Sequence, residues 1–162
     1  MNRILPESIA TLLLGLLSAC ADAPVAPIDE PAPEPVVAVR GLRYTASATV
    51  TSRAPLVITT EVRLTNTTAG AVEVRIASHC AVLLRVYDNA EFRGRAVWDG
   101  GADAQSCTTL VRPVTVGAGE TRVFATDARP VLTRGRYFFV AVLRQADRDV
   151  QLAAGHADVD AS

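Results

Sequence analysis

The stretch LVITTEVRLTN, residues 56–66, constrains the fold more than any other part of this chain. Ile58, Thr60, Val62 and Leu64 fall on one side of it, and Thr59, Glu61, Arg63 and Thr65 on the other. A period of two is the mark of a half-buried β-strand, because successive side chains leave the backbone on opposite faces. The pattern returns in AVEVRIAS, with Val72, Val74 and Ile76 inward and Glu73 and Arg75 outward. It returns again in AVLLRVYDN, with Val82, Leu84 and Val86 opposite Arg85. The polar NTTAG between the first two runs, ending in Gly70, reads as a hairpin loop. Further strand signals fall at residues 96–98, 110–116, 121–126, 136–143 and 150–152, the last able to continue to Val159. DGGAD, GAGE and TRG mark turns between them, and no run sustains a helical period. Seven to nine short strands at this spacing predict an all-β chain, an antiparallel β-sandwich.

Residues 136–144 are apolar on both faces: Tyr137, Phe139, Ala141 and Leu143 on one, Phe138, Val140 and Val142 on the other. A central strand covered on both sides accounts for this, as does an exposed patch that meets a partner. The central strand is the better account.

The front end reads as an address. Met1 and Arg3 precede the apolar run IATLLLGLL, residues 9–17. Nine residues fall short of the ~20 that a membrane span needs, and match the apolar region of a signal peptide. Leu17-Ser18-Ala19-Cys20 then resembles the bacterial lipobox. That resemblance implies a signal peptide over residues 1–19, cleavage before Cys20, and a diacylglyceryl group on the Cys20 thiol. Membrane lipid is thus one expected partner, through Cys20. Two or more acyl chains anchor a protein stably where one does so only marginally. Ala21, rather than aspartate, after the cysteine favours the outer membrane if the cell has one. Residues 20–39 carry Pro24, Pro27, Pro31, Pro33 and Pro35 with Asp22, Asp29, Glu30 and Glu34, and read as an extended, disordered linker. One domain, residues 40–159, remains.

Once Cys20 carries lipid, Cys80 and Cys107 form an even pair in an exported chain, which predicts a disulfide. Ser78-His79-Cys80 could instead be read as a nucleophile beside its base. On a strand, however, adjacent side chains point to opposite faces, and an exported thiol tends to be oxidised. No catalytic residue, cofactor or metal site is therefore expected. His156 and Asp158 share one strand face but are two ligands only, and the acids near residues 88–103 do not follow calcium-loop spacing. The loop held between the cysteines is the candidate binding surface, with Asp88, Asn89, Phe92, Trp98 and Asp99 as its residues. Arg63, Arg75 and Arg85 would make a basic stripe if their strands were neighbours. Every basic residue is arginine, yet no concentrated basic face with aromatic platforms is evident, which argues against a nucleic-acid partner.

The ordered pieces VRLTNTTAGAVEV, VLLRVYDN, AVWD, VGAGETRVF and RGRYFFVAVL resemble the BsuPI-like intracellular proteinase inhibitor domain over residues 56–143. The resemblance implies an immunoglobulin-like β-sandwich with Asn66, Trp98, Gly119, Glu120, Gly135 and Tyr137 as fold-setting positions. Gly119 and Gly135 are expected to serve turns that need a permissive backbone. The family's named activity is inhibition of intracellular serine proteases, which an exported chain could not perform in the cytoplasm. The expectation is a membrane-anchored, non-enzymatic binding module for an unknown protein or envelope component, with inhibition of an envelope or extracellular serine protease as the alternative.

Overall fold

The computed structural model describes residues 36–103, 107 and 110–160. The signal peptide, Cys20 and most of the linker lie outside the described residues. Ten strands and one short helix follow in order: β1 (Val36–Val39), β2 (Leu42–Arg53), β3 (Leu56–Asn66), β4 (Val72–Ala77), β5 (Val82–Tyr87), β6 (Trp98–Asp99), α1 (Gly100–Asp103), β7 (Val111–Val116), β8 (Thr121–Ala128), β9 (Gly135–Arg144) and β10 (Asp149–Val159). Every strand pairing is antiparallel.

One sheet runs β1-β2-β3-β8, a second β10-β9-β5-β6, and β4 pairs with β7 as a separate ribbon. The orders β2-β3-β8 and β10-β9-β5 are those of strands A-B-E and G-F-C of an immunoglobulin-like sandwich. Tyr137, near the start of β9, donates its hydroxyl to the Thr133 carbonyl at 3.0 Å. A tyrosine near the start of strand F bonding back to upstream backbone is the tyrosine corner of that fold.

The core follows from the alternation. Ile58, Val62 and Leu64 of β3, Leu84 and Val86 of β5, and Phe139, Ala141 and Leu143 of β9 are buried in one cluster. Val74 and Ile76 of β4 and Val116 of β7 join it, so the ribbon closes the sandwich rather than standing apart from it. The opposite face of β9 has its own cover. Val140, Val142 and Tyr87 are buried there beneath Phe92 and Ala96 of the β5–β6 loop. The strand is central, apolar on both faces because both are packed.

Three expectations change. Val36–Val39, expected within the linker, form β1 and pair with β2. The described residues hold ten strands rather than seven to nine, because β1 and β2 add to those legible from alternation. The arginine stripe does not form. Arg63, Arg75 and Arg85 lie on three different sheets, and Arg63 and Arg85 are paired with Glu61 and Asp99.

Candidate functional site

Cys80 and Cys107 are joined, with Cα atoms 5.6 Å apart. The ribbon brings them together. Ala77 of β4 is opposite Val111 of β7, and one residue further the Ser78 amide and hydroxyl both donate to the Leu110 carbonyl. The chain then turns back toward β5 through Cys80, whose φ of 54° lies in the left-handed region. Ser78-His79-Cys80 is therefore a turn rather than a strand end, and strand alternation does not govern His79. The disulfide itself removes the thiol.

The five expected loop residues are all located, and four of them serve the fold. Asn89 is a loop staple: its Oδ1 accepts the Arg93 amide at 2.9 Å and its Nδ2 donates to the Arg93 carbonyl at 3.1 Å. Phe92, at φ 53°, stands edge-on to Tyr87 with ring centroids 5.6 Å apart and caps the outer face of β9. Trp98 is half-buried against the main core, with its ring close over Gly100. Asp99 accepts from the Gly101 amide at 2.8 Å, an N-cap for α1, and from Arg85 Nε at 3.2 Å. Asp88 alone of the five is exposed, its carboxylate accepting a hydrogen bond from Asn89 Nδ2 at 3.0 Å. Residues 88–97 are thus a fastened cap rather than a free loop.

The positions singled out by the family resemblance behave likewise. Asn66 is fully buried yet makes four side-chain hydrogen bonds. Its Nδ2 donates to the carbonyls of Gly70 (2.7 Å) and Val116 (2.9 Å), and its Oδ1 accepts the amide (2.9 Å) and hydroxyl (2.8 Å) of Thr68. It ties the β3–β4 loop to the end of β7. Glu120 accepts the Gly117 amide, and Gly119 sits at φ 70°, where a side chain would be strained. Gly135 differs from expectation: it opens β9 without a left-handed φ, and an added Cβ would meet the Tyr137 ring at an ordinary 3.5 Å.

His156 and Asp158 do not form a metal site. The His156 ring packs against Phe138, and Asp158 takes two hydrogen bonds from Arg136, at 2.8 and 3.1 Å. That guanidinium holds the Asp158 carboxyl below the usual carboxylate range. Among the described residues no group of three or more His, Cys, Asp or Glu could hold a metal ion.

What the sequence did not disclose is a cleft of about 400 Å³ at the end of the sandwich. It lies between the β1–β2 turn, β4 and the β9–β10 turn. Val39, Leu42, Tyr44, Val72 and Val74 supply its apolar lining, and Arg40, Arg75 and Arg148 with Glu73 and Asp147 its charge. Tyr44, only 1% exposed, is held there by a hydrogen bond from Gln145 Nε2 at 3.1 Å. The Ala146 amide donates to the Arg75 carbonyl, which sews the β9–β10 turn to β4, and the Gln145 amide donates to the Arg148 carbonyl within the turn. The signal was faint: Arg40-Gly41 between two apolar residues marks the hairpin, but only pairing across three elements gathers the arginines. A second cleft, of about 330 Å³, lies between β5 and β8 and is lined by Trp98, Leu84, Thr126 and the Cys80 end of the disulfide.

No protein-family model and no curated protein matches the chain. Solved structures with some likeness include a β-glucosidase from Erythrobacter marinus, 12% identical over 68% of this chain and 15% of that one, TM-score 0.36. Another is a β-glucosidase from Listeria innocua in complex with glucose, 12% identical over 73% and 16%, TM-score 0.37. A third is a protein described as ApaA from Bordetella pertussis, 12% identical over 80% and 97%, TM-score 0.31. The chain spans less than one sixth of the length of the first of these enzymes and 16% of the second. At that level of similarity none of the three bears on the chemistry of this chain.

Proposed function

We propose that the chain is an exported lipoprotein, tethered to a membrane of the cell envelope through Cys20, whose immunoglobulin-like sandwich is a non-catalytic binding module. The observation that carries this reading is the Cys80–Cys107 disulfide. Structural disulfides persist in oxidising compartments, so the bond fits export. It also takes two of the three cysteines out of thiol chemistry and leaves Cys20, in its lipobox, for the lipid. Asn89, Phe92, Trp98 and Asp99 are occupied with the fold, which makes the arginine-rimmed cleft the surface best suited to a small ligand. Fractionation of cells expressing the chain and its Cys20→Ser variant tests the tether. The parent is expected with the membranes and the variant in the soluble fraction; a soluble parent would overturn it.

Inhibition of an exported serine protease is the second reading, favoured by the fastening of the β5–β6 loop. Asn89 and Phe92 fix that loop from below while Asp88, Glu91 and Arg93 stay exposed. Rigid loops lose little freedom on binding, which favours tight complexes. Assay of the full chain against a panel of exported serine proteases decides it: no inhibition at micromolar protein removes this reading.

A further inference from the structure

Five of the domain's fifteen arginines form ion pairs among the described residues. Arg53, Arg63, Arg85, Arg122 and Arg136 each face a carboxylate within 3.3 Å. Ten take part in none of these pairs, and three of the ten, Arg40, Arg75 and Arg148, line the larger cleft together. Glu73 and Asp147 line the same cleft without an ion pair to any of the three. Among the described residues no carboxylate forms an ion pair with these three guanidinium groups, which stand around one apolar floor.

Arg40 adds an independent observation. It and Gly41 are the two central residues of the turn joining β1 to β2, at φ 49° and 76°, with Val39 opposite Leu42. A two-residue hairpin with both φ values positive is a type I′ turn, whose first position favours Asn, Asp or Gly. An arginine there is strained, and the turn itself gives no reason for it. The strain is held in place. The Thr67 amide and hydroxyl both donate to the Gly41 carbonyl at 2.8 Å, so the β3–β4 loop clasps the turn. Residues kept in a sparsely populated conformation by surrounding structure cluster at ligand sites. Arg75 and the Arg40-Gly41 turn thus stand on backbone that another element fixes, and Arg40 occupies a position its own turn disfavours.

We propose that this cleft binds a small organic acid, a singly charged carboxylate or phosphodiester on an apolar body. Arg40, Arg75 and Arg148 hold the anion, and Leu42, Tyr44 and Val74 the body. The inference rests on the reading of the sandwich as a binding module and names its ligand class. The cleft volume, about 400 Å³, falls within the range of small-molecule sites. Three arginines against two carboxylates leave a single positive charge in excess, which suits a monoanion and disfavours a polyanion. Planar guanidinium forks match the oxygens of a carboxylate or phosphate in pairs.

The test is calorimetric titration of the full chain with N-acetylphenylalanine, its neutral amide, and dihexanoyl phosphatidylglycerol below its micelle concentration. One or both acids are expected to bind, and which of them does assigns the anion to a carboxylate or to a lipid phosphodiester. The amide is expected to bind at least about tenfold more weakly, as loss of charge-assisted hydrogen bonds implies. Arg75→Gln and Arg148→Gln should each weaken the acid by about three- to tenfold. Arg40→Gly should weaken it too while leaving the melting temperature unchanged or higher, since glycine is at ease in that conformation. Equal affinity for acid and amide would overturn the proposal, as would no binding of either acid at millimolar concentration. So would wild-type affinity in the glutamine variants. Failure here with the parent still membrane-bound in fractionation sinks the ligand inference alone; a soluble parent sinks the tether and leaves the titration standing.

Discussion

Replacing Asn66 with alanine removes a side chain that is fully buried and makes four hydrogen bonds to three loop and strand-end residues. The groups it leaves behind fare differently. The Gly70 carbonyl and the Thr68 hydroxyl keep each other as partners at 2.8 Å. The Thr68 amide and the carbonyl of buried Val116 lose the bond that Asn66 made to them. A net hydrogen bond is worth about 0.5–1.5 kcal/mol, and an abandoned buried group costs about 1–3 kcal/mol. Taking the two retained groups as neutral and the other two at about 1–2 kcal/mol each, the lower half of that range because the Thr68 site is only part-buried, gives a loss of about 2–4 kcal/mol. In a domain of this length each kcal/mol moves the melting midpoint by about 4 °C, so Asn66→Ala should melt about 8–16 °C lower. Urea unfolding with the disulfide intact measures the free energy directly. Thr68→Val, which leaves Asn66 in place, should cost less than Asn66→Ala. A loss below about 0.5 kcal/mol, within the range of neutral surface substitutions, would refute the view that Asn66 joins the two loops.

Four other outcomes are expected. Replacing both Cys80 and Cys107 with serine opens a closed loop spanning 27 positions and should cost about 3–4 kcal/mol in urea unfolding; an unchanged midpoint would contradict the staple. Thr60 is buried and its hydroxyl has no partner among the described residues, so Thr60→Val should raise stability by about 1 kcal/mol, and a fall would show the hydroxyl to be satisfied. Tyr137→Phe removes the bond to the Thr133 carbonyl and should lower stability by about 1 kcal/mol; no change would mean the corner is only a packing feature. The Arg136 hydrogen bonds lower the Asp158 carboxyl, so whatever they add to stability is present above the ordinary aspartate range and is lost as pH falls through the lowered value. Carboxyl NMR should find Asp158 titrating below an ordinary aspartate in the parent and returning toward it in Arg136→Gln; identical titrations would remove Arg136 as the cause.

The strands with large apolar residues at every second position were legible. Residues 56–66 form β3 without change, and β4, β5, β7 and β9 fall within two residues of their sequence limits. β2 was not legible, although it is the longest strand. Its inward positions include Ala46 and Ala48, and its outward ones are Thr, Ser and Arg, so apolar contrast is weak. Its pairing with β3 along eleven positions supplies what the pattern lacks. β1 was hidden because Val36-Val37-Ala38-Val39 does not alternate and follows a proline-rich run.

The site was less legible than the fold. Cys80 and Cys107 could be paired by counting, since two cysteines in an exported chain have one disulfide arrangement. The binding surface could not. Asn89, Phe92 and Asp99 look like loop residues free for a partner, and only tertiary contact reveals that a ring, a turn and a helix cap occupy them. Arg40, Arg75 and Arg148 are 35 and 73 positions apart along the chain. Their convergence depends on the β1–β2 turn, β4 and the β9–β10 turn meeting at one end of the sandwich, which no local pattern encodes.

The intact mass of the protein purified from its own cells, with peptide mapping, tests the central claim most directly. A chain that begins at Cys20, carries a diacylglyceryl group on that residue and holds Cys80 and Cys107 as one disulfide-linked peptide pair is the predicted result. An unmodified chain beginning at Met1, with three free thiols, would contradict it.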